Sequence, residues 1–147
     1  MNPIAFFVSG EPRAKQSFRA SRSGKGGYTP AYIKAWQSDV GWAGQQRMRE
    51  LGFMEPIEAV SFTVTLIFFL GDARRIDLDN LSKAVQDGLN NIAWKDDQQN
   101  IRLVLDKYIC RERQGVLVKI EPNSRPVEID MEEMTVLILG AELEQVL

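Results

Sequence analysis

Two apolar patterns of different period stand back to back in the middle of this chain. Between Ile57 and Leu70, the residues Val60, Phe62, Val64, Leu66 and Phe68 recur at every second position, with Ser61, Thr63 and Thr65 between them. That is the alternation of a strand, and it becomes apolar on both faces at Ile67-Phe68-Phe69. Between Asn80 and Ile92, the residues Leu81, Ala84, Val85, Gly88, Leu89 and Ile92 fall on a single helical stripe. A strand running through a short connection into an amphipathic helix commits the chain to a layered fold, with helix packed on sheet.

The flanking segments extend this pattern. Ile4 to Val8 reads as a short strand. Thr29-Pro30 reads as a helix start, with Thr as N-cap and Pro at the first helical position. Ile33, Trp36, Val40, Ala43 and Leu51 then form the inward face, and Gly52 marks the stop. Ile101 to Cys110 and Val116 to Ile120 are two more strands, joined by a turn through Arg111 to Gly115. The order β-α-β-α-β-β predicts an α/β (α+β) fold with a small mixed sheet and two main helices. With 147 residues there is room for one core. Residues 1–121 are expected to form that domain, and residues 122–147 an acidic, apolar extension that is not a separate domain. In the extension, Asp130 with Glu133 fits a capping box and Ile129 with Met134 a staple, whereas Thr135 to Leu139 fits a strand equally well. Both readings stay open.

The chain contains no histidine. This excludes Ser-His-Asp and Cys-His catalysis, histidine-bound metal nucleases and Cys/His zinc modules. An enzyme built from this sequence must use carboxylates, lysine, hydroxyls, backbone and an oxygen-loving cation such as Mg²⁺. One cysteine, Cys110, cannot form a disulfide framework. The longest apolar run, Leu66 to Leu70, is far short of a membrane helix, and no basic segment leads an apolar run at the N-terminus. A cytoplasmic protein without a membrane partner is expected. Gly24-Lys25-Gly26-Gly27 lacks the upstream glycine and the following Ser or Thr of a phosphate-binding loop, so no nucleotide cofactor is expected.

Charge is unevenly distributed. From Pro122 onward Glu128, Asp130, Glu132, Glu133, Glu142 and Glu144 face one base, Arg125; the net there is −5, against −2 for the whole chain, so the first 121 residues carry +3. Arg13, Lys15, Arg19, Arg22, Lys25 and Lys34 near the N-terminus are opposed only by Glu11. Local positive charge of this kind suits a polyanion, and the loop from Gly10 to Gly27 is read as a phosphate-contacting arm or a solvated loop.

The segment from Arg74 to Lys83 carries the chemistry. Asp77 and Asp79 lie two apart at the strand-to-helix junction; if that stretch is extended, both carboxylates point to one side. Asp79 or Asn80 is the expected N-cap, where the helix dipole favours an anion. Asp79, Lys83 and Asp87 share a helix face opposite the apolar stripe. On most helices such a row is a set of ordinary surface pairs. Here the Asp-x-Asp at the junction and Arg74-Arg75 before it favour a site. A second pair, Asp96-Asp97, returns toward the first if Ile101 to Cys110 lies beside Ile57 to Leu70. Converging carboxylates repel one another unless a cation sits among them. With Arg74 and Arg75 to hold a polyanion and Lys83 to stabilise charge, the constellation reads as metal-assisted phosphodiester hydrolysis.

The run Arg75-Ile76-Asp77-Leu78-Asp79-Asn80-Leu81-x-Lys83, then Asp87-Gly88-Leu89-Asn90, then Trp94-x-Asp96-Asp97-x-Gln99, closely resembles the RusA family of Holliday-junction resolvases. Gly10-Glu11-Pro12-x-x-Lys15 resembles that family's N-terminal region. The resemblance covers about Pro3 to Glu121 and implies a homodimeric, Mg²⁺-dependent endonuclease that cuts DNA four-way junctions symmetrically in recombination and repair. By position, Asp77, Asp79 and Asp97 match the family's essential carboxylates and metal ligands, and Lys83 its essential lysine. Asp96 adjoins the matching position, and Asp87 is expected to be no ligand. Arg13, Lys15, Arg19, Arg22, Lys25, Arg74 and Arg75 are the expected DNA contacts. The alternatives are a nuclease of the same architecture for branched or flap DNA, and a catalytically silent DNA-binding dimer.

Overall fold

The computed structural model describes residues 1–15, 19–20 and 27–145. Four strands make the main sheet: β1 (Ile4–Ser9), β4 (Phe62–Leu70), β5 (Asn100–Ile109) and β6 (Gly115–Pro122), in the order β1-β6-β4-β5. β6 runs antiparallel to both β1 and β4, and β4 runs parallel to β5. The sheet is therefore mixed, as the element order implies. Two short strands, β2 (Arg19–Ala20) and β3 (Gly27–Tyr28), pair with each other as a separate ribbon. Three helices complete the fold: α1 (Ala31–Glu50), α2 (Leu78–Leu89) and α3 (Met131–Glu144).

A parallel pair needs a crossover, and α2 supplies it between β4 and β5. Its stripe is buried as the periodicity requires: Leu81, Ala84, Val85 and Leu89 are all fully covered. They meet Phe62, Val64, Leu66 and Phe68 of β4, which are also fully covered. α1 packs on the same face through Ile33, Trp36 and Val40. The two helices approach most closely at glycines. A Cβ on Gly41 would stand 2.8 Å from the Gly88 carbonyl oxygen, and one on Gly88 would stand 2.7 Å from the Gln37 carbonyl oxygen.

Several element boundaries differ from expectation. β4 begins at Phe62, because Ala59 takes a positive φ of 56° and turns the preceding segment out of the ladder. α1 begins at Ala31 with Pro30 as N-cap, one residue later than the Thr29-Pro30 start suggests. Leu51 lies past the end of α1, where Gly52 turns the chain at φ 89°, so Leu51 is exposed and Met48 fills the core instead. α2 stops at Leu89; Asn91 at φ 62° and the Asn90 side chain, which accepts from Trp94 Nε1 at 2.8 Å, turn the chain there. The tail is helical, not a strand. Asp130 Oδ1 accepts from the Glu133 amide at 2.8 Å and Glu133 Oε2 from the Asp130 amide at 2.9 Å, a complete capping box. All of α3 is nevertheless exposed. Phe68 is core; Phe69 lies on the opposite sheet face, stacked on Tyr108 with ring centroids 6.0 Å apart. No described helix is long and apolar enough to cross a membrane.

Candidate active site

The site begins where β4 ends. The connection to α2 is braced by Asp72, whose Oδ1 accepts from the backbone and the Nε of Arg74, at 3.1 and 2.8 Å. Those hydrogen bonds hold the Asp72 carboxyl below its usual range. Further along, Lys107 of β5 donates to the Ile76 carbonyl at 2.9 Å. The chain is thus fixed on both sides of Arg75 before it enters α2.

Asp77, not Asp79 or Asn80, is the N-cap of α2, with φ −71° and ψ 131°. Its side chain caps no backbone amide. The carboxylate has only a long 3.5 Å contact from Asn80 Nδ2 and is left facing solvent. Asp79 lies inside the first helical turn, so the two acids do not share one extended segment, and the expected sidedness argument does not hold. Helix position favours its negative charge. Asp79 Oδ2 accepts from Lys83 Nζ at 3.2 Å, and both side chains are largely exposed.

The N-terminal segment passes over this helix start. The Lys15 amide donates to the Asn80 carbonyl at 2.9 Å, and Lys15 Nζ to Asp87 Oδ2 at 2.5 Å. Upstream, Glu11 bridges two arginines: Oε2 meets Arg13 at 3.0 Å and Oε1 meets Arg74 at 2.5 Å. The Arg13 guanidinium also lies over the Tyr32 ring, 5.3 Å from its centroid. Glu11, Arg13, Tyr32 and Arg74, with Arg75, Asp77 and Asn80, line a cleft of about 640 Å³. Arg19 lies in β2, while Arg22 and Lys25 lie outside the described residues.

The second acidic pair sits at the other end of α2. Because β5 runs parallel to β4, its first residue, Asn100, is level with Phe62 at the start of β4. Asp96 and Asp97 precede it, near the far end of the helix from Asp77. Asp96 Oδ1 accepts from the Gln98 amide at 2.9 Å and caps a single 3₁₀ turn, Asp97–Gln99. Gln99 binds the Ile57 and Val60 carbonyls at 2.9 Å each and accepts from the amides of Lys95 and Asp96. Asp97 is pushed above its ordinary range by burial, by a hydrogen bond with Asp96, and by the charges of Asp96 and Asp87, with Lys15 opposing. Among the charges that act on Asp97 are thus those of Asp96, Asp87 and Lys15. Asp79 stands eight residues from Asp87, about 12 Å along the helix.

Among the described residues, no three His, Cys, Asp or Glu side chains stand together as a metal cage. Mg²⁺ does not need one; it binds through one or two carboxylates, several waters and a substrate phosphate. Exposed Asp77 and Asp79, with only oxygen donors, suit a hard cation that keeps several waters. Sequence reasoning named Glu11 without giving it a part in the site, and passed over Tyr32 and Lys107. Glu11 and Tyr32 adjoin the basic segments it singled out, but Lys107 reaches the site only through strand pairing.

The sequence profile of the family described as endodeoxyribonuclease RusA matches residues 9–121. No individually curated protein matches the chain. The profile takes in β4, α2, the acidic pair before β5 and all of the cleft wall; with most of its length inside that span, the chain belongs to the RusA family of endodeoxyribonucleases, hydrolases that resolve Holliday junctions.

Proposed function

We propose that the chain acts as a homodimer that makes paired, Mg²⁺-dependent cuts across a DNA four-way junction, serving recombination and repair. The observation that carries this reading is the Asp77-Leu78-Asp79 corner, where an uncapped carboxylate and an exposed one stand at a helix start beside a cleft lined by Arg13, Arg74 and Arg75. Asp77 and Asp79 would hold the cation. Bound there, Mg²⁺ would supply Lewis-acid polarisation of the phosphodiester and a water of lowered pKa. Lys83, paired with Asp79 in the free protein, would stabilise charge that develops on the phosphate oxygens. Asp97 serves the reaction from the far end of α2, beside Lys15 and Asp87. Arg75 and the basic arm hold the flanking phosphates, and so fix the DNA in register.

Incubating the purified protein with labelled four-way junction, flap and fork DNA, with and without Mg²⁺, tests this reading. Paired nicks in opposing strands of the junction, only with the metal, are expected. Preferential cutting of flaps or forks would favour the broader branched-DNA nuclease. Metal-independent binding without cutting on any substrate would overturn the proposal.

A further inference from the structure

The cleft beside Asp77 has features that phosphate contacts alone do not require. Its volume of about 640 Å³ lies in the range of small-molecule sites and leaves room for one nucleotide. One wall is an aromatic and guanidinium pair, Tyr32 under Arg13. Tyr32 is 45% exposed, so its ring is not spent on the core. Glu11 pairs with both Arg13 and Arg74 without DNA, which orients the planar groups toward one another before anything binds. A flat, partly exposed aromatic–guanidinium pair plus neighbouring cations matches the two halves of a nucleotide, a base that stacks and a phosphate that pairs.

A base inside a duplex cannot reach such a wall, because its faces are covered by its neighbours. A base extruded from the stack can, and extrusion is easiest where the continuous stack is already interrupted. In a four-way junction that place is the crossover. Asp77 lines the same cleft, so a base seated there adjoins the strand presented to the carboxylates.

We infer that this cleft is a subsite for a nucleotide extruded at the branch point, with Tyr32 and Arg13 as specificity-determining residues. The inference rests on the reading of Asp77 as part of the reaction site, and adds to it how the branch is told from plain duplex.

The test uses the full chain in metal-free buffer, so that cutting plays no part. The probe is a four-way junction carrying 2-aminopurine at the crossover, compared with one carrying it deep in an arm. A change in fluorescence on binding is expected only for the crossover probe. Tyr32→Phe should keep that change, whereas Tyr32→Ala should lose it and weaken junction affinity about tenfold or more, leaving affinity for linear duplex unchanged. Arg13→Lys, which keeps charge but not planarity, should show the same loss in part. Wild-type fluorescence response and affinity in Tyr32→Ala would overturn the inference, as would an equal loss on linear duplex. A Tyr32-dependent response in a protein whose Asp77→Asn variant still cuts would uphold the subsite and overturn the catalytic reading instead.

Discussion

An aspartate at an N-cap normally spends its carboxylate on the first free amides of the helix. Asp77 does not, and this leaves it available to a cation. Asp77→Asn, Asp79→Asn and Asp97→Asn keep size and remove charge. Each is expected to abolish cleavage while sparing junction binding without metal, or strengthening it, since a charge facing phosphate is gone. Lys83→Ala should slow cleavage about a hundredfold or more. Asp87→Asn is the contrast: its pair with Lys15 is partly exposed, at 41% and 29%, and such pairs are worth at most about 1 kcal/mol. Its cleavage rate should fall less than about tenfold. Rates at saturating protein across a Mg²⁺ titration check the set, and an Asp87→Asn as inactive as Asp79→Asn would refute the division. Asp97 also makes a prediction about pH. Its carboxyl is pushed up in the fold, so the folded chain holds that proton more tightly than the unfolded one. Wild-type stability from this group is present below the ordinary carboxylate range and is lost as pH rises through the raised value. Asp97→Asn should therefore melt above wild type at neutral pH without metal, and the gap should close as pH falls toward 4, about the ordinary value for aspartate. A gap that widens on acidification would contradict the assignment.

α2 ties the site to the core, and its contact with α1 depends on absent side chains. A Cβ on Gly88 would press on the Gln37 carbonyl and Cα at 2.7 and 3.3 Å, backbone atoms that cannot step aside alone. Gly88→Ala should cost about 1–3 kcal/mol by overpacking, whereas Gly52→Ala meets nothing within 4 Å and its cost comes from the backbone φ of 89° instead. Chemical denaturation compares Gly88→Ala with wild type; an unchanged midpoint would mean the helices are not so close. The same helix shows what sequence could and could not reveal. Its stripe was legible because period is a local property, and the strands were legible for the same reason. Its ends were not. Asp77 becomes the cap because Asp72 and Lys107 hold the incoming chain, and Lys107 comes from a strand paired across the sheet. The late start of β4 depends on Ala59 and on Gln99 binding two carbonyls about forty residues back in the chain. The acidic motif could be read directly; that the charges of Asp87 and Lys15 act on Asp97 follows from a parallel register that no local pattern carries.

At the scale of the molecule, the unusual element is α3. It lies outside the span the family profile matches, and all of its described residues are exposed. Val136, Leu137, Ile138 and Leu139 are each 46% exposed or more. At about 100° per residue these four point to nearly every side of the helix, and a helical turn apolar all round belongs in an interior. Laying it on one surface would cover one side only. A second copy of the chain can cover more, and it would bring a second acidic corner for the opposing strand, as paired cuts by two-fold symmetry require. Sedimentation of the full chain at micromolar concentration should therefore give a dimer. Ending the chain after Asn123 removes α3 but leaves β6 and the sheet intact. The shortened protein should shift toward monomer, keep its melting cooperative, and nick single strands of the junction more often than it makes paired cuts. A shortened chain that remains dimeric at the same concentration would show that the contact lies elsewhere on the sheet or helices. A full-length monomer that still cuts both strands together would remove the need for two-fold symmetry altogether.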